Sequence, residues 1–132
     1  MSAREMLGAA VVARLRADPA LAGVAVFDAP PVRAALPHAV VEEAVLGEWG
    51  TKSFAGHEAR FAVLVWDAGE RPVRLRALLG AVEAAVGSLP AELGGGWRVA
   101  GARVVRSRLA RASGERWVGS VDVFVRMWRE EE

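Results

Sequence analysis

His57-Glu58-Ala59-Arg60-Phe61-Ala62-Val63-Leu64-Val65-Trp66, then Asp67-Ala68-Gly69-Glu70, then Pro72 to Leu89, is the stretch that decides the fold class. Glu58 and Arg60 fall on one face of an extended chain, and Ala59, Phe61, Val63 and Val65 on the other, the period of a strand. From Ala62 onward both faces are apolar, as in a strand covered on both sides or central in a sheet. Asp67 to Glu70 breaks the pattern as a turn. Pro72 suits the first turn of a helix, where its missing N–H has no intrahelical partner. Leu75, Leu78, Leu79, Val82, Val86 and Leu89 follow at helical spacing, with Arg74, Arg76 and Glu83 left mainly for solvent, and Gly87-Ser88 and Pro90 end the helix. Strand, turn and helix supply one core, against which the other segments are laid.

Upstream, the chain opens with a second helix. Ser2 and Glu5 have capping-box spacing, so hydroxyl and carboxylate each satisfy a free backbone N–H. Leu7, Val11 and Leu15 form its apolar stripe, flanked by Met6 and Ala10, with Arg14 and Arg16 at the negative end of the dipole and Asp18-Pro19 as the stop. Val24 to Phe27 reads as a short strand, which Asp28-Ala29-Pro30-Pro31 cannot continue because proline donates no ladder hydrogen bond. After Pro37, His38 to Val45 resumes as one strand. Adjacent Glu42 and Glu43 point to opposite faces there, so one of them sits at an edge or interface, and the two diverge instead of converging on a substrate.

Leu46 to Gly56 is the unusual loop, carrying Trp49 and Phe54 among glycines and polar residues. It reads either as a hairpin connection whose aromatics fold back on the core, or as a protruding arm that anchors a partner. Gly47, Gly50 and Gly56 lack the strand–glycine–helix order of a phosphate-binding loop.

Downstream, Leu93 to Gly96 is a flexible connector, Trp97 to Leu109 a long strand, Ala112 to Glu115 its turn, and Trp117 to Trp128 the antiparallel return. In the return strand Trp117, Gly119, Val121, Val123, Val125 and Met127 share a core face. Val118, Ser120, Asp122, Phe124, Arg126 and Trp128 share a mixed one. Arg103, Arg106, Arg108, Arg111, Arg116, Arg126 and Arg129 make this hairpin the basic end of the molecule, a solvated or subunit-pairing face in preference to a nucleic-acid groove. Glu130 to Glu132 is an acidic tail expected to fray. Helix, three strands, helix and two strands make an α+β protein. The expectation is a mostly antiparallel sheet of four to five strands with two helices packed on one face, one domain over residues 1–132.

Composition sets the function classes. At 132 residues the chain is long enough for a core without staples. No run approaches the ~20 apolar residues of a membrane span, and the start lacks a secretory pattern, so a cytoplasmic protein is expected. Zero cysteines exclude disulfides, thiolate catalysis and Cys-ligated metals. A formal charge of +1 argues against a dedicated nucleic-acid binder. His38 and His57 are the only histidines and have neither the context of a Ser/His/acid site nor metal-ligand spacing. No catalytic residue, cofactor or metal is expected, and binding or assembly is the reading.

Leu15-Arg16-Ala17-Asp18-Pro19-Ala20-Leu21, Val26-Phe27-Asp28-Ala29-Pro30-Pro31, Leu36-Pro37-His38-Ala39-Val40-Val41, Glu48-Trp49-Gly50-Thr51-Lys52 and Phe61-Ala62-Val63-Leu64-Val65-Trp66 occur in that order. This ordered set, spread over nearly the whole chain, resembles the tail terminators, or tail-completion proteins, of tailed phages and gene transfer agents. The resemblance implies a ring, usually of six subunits, that caps the tail tube, ends its polymerisation and joins it to the head-side neck. It implies as partners further copies of the chain, the major tail tube protein, a neck or stopper protein, and double-stranded DNA passing through without sequence-specific binding. It implies no membrane, and cytoplasmic assembly before residence in the tail or neck of a virion-like particle. Residue roles carry over only for the Trp49–Lys52 loop. With the arginine hairpin, the candidate partner interface is Trp49, Thr51, Lys52, Phe54, Arg106, Arg108 and Arg111. The alternatives are another head–tail connector, such as a stopper or tube-like ring, and a small cytoplasmic enzyme or ligand-binding domain.

Overall fold

A computed structural model describes residues 1–130; Glu131 and Glu132 of the acidic tail lie outside the described residues. Helix α1 runs Ala3–Ala17 and a single 3-10 turn Pro19–Leu21. The strands are β1 (Ala25–Phe27), β2 (His38–Val41), β3 (Val45–Glu48), β4 (Phe54–Ala68), β5 (Glu92–Gly94), β6 (Trp97–Ser113) and β7 (Arg116–Glu130), with helix α2 (Val73–Val86) between β4 and β5.

The expected helix signals act as read. The Glu5 N–H donates to Ser2 Oγ (3.2 Å) and the Ser2 N–H to Glu5 Oε1 (3.1 Å), closing the capping box. These bonds from Ser2 hold the Glu5 carboxyl below the usual range. Asp18 ends α1 and accepts from the Ala20 N–H (2.9 Å) to start the following turn. Pro72 immediately precedes α2, and no side chain caps that end. Asp67 instead ties the preceding strand to the helix. Its buried carboxylate accepts from Arg74 Nε (2.9 Å), Arg74 Nη2 (2.6 Å) and the Ala68 N–H (2.8 Å).

The sheet is larger than expected and mixed. Its order is β1-β2-β4-β7-β6-β5, with β3 also paired to β4, and β1 lies parallel to β2. The proline-rich segment between β1 and β2 is long enough to carry the chain back to a parallel start, where a short hairpin would force antiparallel pairing. β4 is central, as its double apolar character demands: β7 covers one side along its whole length. β2 and β3 share the other side, against Val63–Trp66 and His57–Arg60 respectively.

The expected single strand over His38 to Val45 is therefore two, broken at Glu42–Ala44. Arg4 of α1 reaches this break, its Nε donating to the Ala44 carbonyl (3.2 Å) 4.0 Å from the Glu43 carboxylate. Glu42 and Glu43 are both exposed beside it. The expected loop over Leu46 to Gly56 shrinks to a turn at Trp49–Ser53, its two ends absorbed into β3 and β4. His57 consequently lies within β4 and not at a strand start.

The expected flexible connector at Leu93 to Gly96 is ordered. Glu92–Gly94 pairs with the start of β6, and Gly94, Gly95 and Gly96 take φ of 107°, 60° and 83°. Residues with side chains avoid that region, so the glycine run makes a tight reversal possible. One core forms between the helices and the odd-numbered face of the sheet. It contains Leu7, Val11 and Leu15 of α1, Leu75, Leu79 and Val82 of α2, and Val63, Val65, Val121, Val123, Val125 and Met127 of the sheet. The opposite face carries no helix.

Candidate assembly surface

The helix-free face is formed by the even-numbered residues of β4 and β7 and the residues of β6 opposite them. At one end, Trp49 leaves β3 and lies over Gly56, stacking edge-on against Phe54 (ring centroids 5.5 Å), which stacks against Trp128 (6.1 Å). A side chain at Gly56 would collide with the Trp49 carbonyl, so glycine is what lets the turn fold flat on the sheet. Two backbone bonds close the turn, Trp49 N–H to Gly56 O and Thr51 N–H to Phe54 O, both 3.0 Å. Trp49 and Phe54 are half-buried, and Thr51 and Lys52 are exposed at the tip. The loop is thus neither folded into the core between helices and sheet nor a free arm. Its aromatics pave the open face.

Arginines lie across that paving. Arg126 sits over Trp49 (5.3 Å) and Phe124 (5.6 Å), Arg60 and Arg103 over Phe124 (4.8 and 5.1 Å), and Arg98 over Trp128 (5.5 Å). A guanidinium over an aromatic face gains electrostatic attraction while its planar edge stays free to bond outward. Arg126 also pairs with Glu58 (3.2 Å), and Arg106 with Asp122 (3.1 Å). Seven arginines (Arg60, Arg98, Arg103, Arg106, Arg108, Arg116 and Arg126) therefore share the face with three acids, Glu58, Asp122 and Glu130.

The alignment of the β6 arginines depends on bulges. Arg98 opposes Trp128, Arg103 opposes Phe124, Arg106 opposes Asp122 and Arg108 opposes Ser120. Strict alternation would put Arg103 on the face opposite Arg98, Arg106 and Arg108. The register slips by one residue at Ala100 and again at Val105, and each slip exchanges the faces. Two slips bring all four arginines to one side. A third, at Ala112, lies near the hairpin turn.

The structure splits the sequence-based interface. Trp49 and Phe54 share the open face with Arg106 and Arg108, but the two groups are separated by the stretch of β7 from Trp128 to Asp122, about 20 Å at ~3.3 Å per residue. Arg111 falls on the helix side, opposite Trp117, with its guanidinium 4.3 Å from that ring and its Nη1 bonded to the Gly114 carbonyl. Phe124, Trp128, Arg60 and Arg98 lie outside the sequence-based interface, and Arg103 and Arg126 belong to the sequence reading only as members of the basic hairpin. Period-two alternation of β7 was enough to put Phe124, Arg126 and Trp128 together. The bulges hid Arg103.

The histidines serve packing. His38, 9% exposed, lies edge-on to Phe27 (6.0 Å) with Nδ1 3.3 Å from the Ala35 carbonyl. His57 stacks on Trp97 (5.3 Å), whose ring also carries Arg129 (4.7 Å). Among the described residues no three His, Cys, Asp or Glu side chains gather in a way that could hold a metal ion. No helix among them is long and apolar enough to cross a membrane.

A family model described as tail completion protein gp17 matches residues 9–128. The chain belongs to that family. Comparison with curated protein sequences gives no match. Among solved structures, a chain of the "Virion of native gene transfer agent (GTA) particle" is 28% identical and superposes with a TM-score of 0.81. The match covers 97% of this chain and 99% of that one, so the whole architecture of this tail completion family member, open face included, has a counterpart in a virion component.

Proposed function

We propose that the chain is a tail terminator, a structural protein and not an enzyme. Six copies form a ring that caps the tail tube, stops its growth and joins it to the head-side neck, with double-stranded DNA passing through. The observation that carries this reading is the family match over residues 9–128 together with end-to-end likeness to a chain of a gene transfer agent virion. The open face supports it physically. Half-buried Trp, Phe and Arg are the residues that dominate protein–protein contacts, and a helix-free sheet face offers them side by side. A tube grows by adding rings that each re-expose an accepting surface, so a terminator must bind that surface without recreating it. Head-to-tail contacts between identical subunits close a ring with two different faces, which meets this need. The formal charge of +1 suits a conduit from which DNA must be released.

Particles lacking the protein are expected to carry tails of abnormal length that fail to join heads, as seen by electron microscopy. Normal-length tails attached to full heads in its absence would refute the assignment.

A further inference from the structure

Phe124 is 7% exposed although no helix covers its face and it stands outside the main core. Its cover is charged. In one row across the sheet, Val45 of β3, Arg60 of β4, Phe124 of β7 and Arg103 of β6 stand side by side. The guanidinium of Arg60 lies 4.8 Å from the phenyl centroid, that of Arg103 5.1 Å and that of Arg126 5.6 Å. The first two are therefore at most about 10 Å apart, within the ~10 Å over which salt leaves charges partly unscreened. Cation–π attraction holds each guanidinium at the ring, but it does not remove their mutual repulsion. Among the described residues only Arg126 of the three pairs with a carboxylate, Glu58 at 3.2 Å, and Arg60 and Arg103 pair with none. Three guanidiniums thus face one acid.

From this cluster we infer that Arg60, Arg103 and Arg126 bind carboxylates, and that through them the open face docks on an acidic protein surface. The inference rests on the terminator reading above, in which the chain must grip protein neighbours, and names the chemistry of one grip. A guanidinium fork matches a carboxylate with two parallel hydrogen bonds. Here the aromatic ring holds the forks in place before a partner arrives, which cuts the entropy lost on binding. Phosphate offers the same bonding geometry, but the surroundings favour protein. A nucleic-acid backbone repeats one sign at every step, whereas a protein surface can set donors opposite Glu58 and Asp122 and carboxylates opposite the arginines. The face also offers apolar area that phosphates cannot use. Val45, in the same row as the cluster, is 71% exposed, and Trp49, which shares Arg126 with Phe124, is half-buried. Aromatic rings, arginine and apolar area together have the composition of a protein interface.

The test uses particles from a producing strain. Carbodiimide couples an amine to a carboxylate in contact with it and leaves guanidinium unreacted. Arg103→Lys keeps the positive charge and places an amine in the cluster. Lys52 is the only lysine of the parent chain, so parent particles report its background. Circular dichroism melts of the purified variant check that folding is kept. The expected result is a new band heavier than the single chain, in which mass spectrometry joins position 103 to an aspartate or glutamate of another chain. Completed particles with no interchain cross-link at position 103 would overturn the proposal. If Arg103→Lys folds but yields no completed particles, Arg60→Lys carries the amine instead and is read in the same way. Loss of particles from both folded variants would support a required guanidinium contact, because lysine lacks the fork. DNA is the competing ligand. Duplex binding by the purified protein, followed by fluorescence anisotropy, is expected to fall no further in Arg60→Gln/Arg103→Gln than in Arg71→Gln/Arg76→Gln, which removes the same charge from exposed positions in and just before α2. A larger loss in the cluster variant would assign the arginines to phosphate and overturn the protein assignment. The two levels stay separate: a strain lacking the chain that still completes particles sinks the terminator reading, whereas a missing cross-link sinks the docking cluster alone.

Discussion

Replacing Gly56 by alanine tests whether the Trp49 turn lies flat on the open face. The added methyl has nowhere to go: it would collide with the Trp49 carbonyl, with Trp49 Cε3 3.1 Å away. The obstacle is backbone, so rotamer changes cannot relieve it. The turn must lift, at the expense of the Trp49 N–H to Gly56 O and Thr51 N–H to Phe54 O bonds and of the Trp49–Phe54 stack. Two exposed backbone bonds at about 1 kcal/mol each, or a comparable overpacking cost of ~1–3 kcal/mol, set the loss near ~2 kcal/mol. At ~2.1 cal/mol/K per residue the 132-residue chain unfolds with roughly 0.28 kcal/mol/K, so the midpoint should fall by about 7 °C. Gly47→Ala is the control on the same hairpin. Its methyl would meet only the Glu58 carbonyl oxygen at 3.8 Å, an ordinary contact, and its midpoint should stay within about 2 °C of the parent. Scanning calorimetry reads both. A Gly56→Ala protein melting with the parent, or a Gly47→Ala protein falling as far, would show that the turn does not pack over Gly56.

Trp49→Ala removes one aromatic pair and one guanidinium contact from a half-buried site outside the main core, about 1–2 kcal/mol of stability. The protein should fold while assembly into particles weakens by ~2 kcal/mol or more; collapse of the isolated protein's near-ultraviolet circular dichroism would instead assign the ring to the core. For Asp67, the hydrogen bonds from the Arg74 guanidinium hold the carboxyl below the usual range. Because the folded value is depressed, the stability it contributes is complete above the unfolded value of about 4 and is lost as pH falls through the folded one. The parent's melting temperature should therefore drop more steeply below about pH 4 than that of Asp67→Asn, and parallel acid limits for the two would remove Asp67 from the account.

Local chemistry was legible wherever a short-range rule acts alone. The Ser2–Glu5 box, the stop at Asp18-Pro19, the stripe of α2 and the two faces of β7 each depend on residues within a turn or two of one another. The sequence accordingly determined both helices, the strand-rich α+β class and the aromatic content of the Trp49 turn, and its ordered segments carried the family likeness. Tertiary structure decided how many strands there are and where they break. Glu42–Ala44 interrupts a plausible strand by setting three residues against two of β4, and Arg4, forty residues from Ala44, takes the Ala44 carbonyl there. β5 is a strand only because β6 is there to pair with it. The open face was decided in the same way. Arg98, Arg103, Arg106 and Arg108 do not share a period, and no local preference marks Ala100 or Val105 as unpaired. Their common side follows from register, a property of two strands held together along their length. A single residue's slip in that register exchanges every side chain beyond it between the core and the solvent.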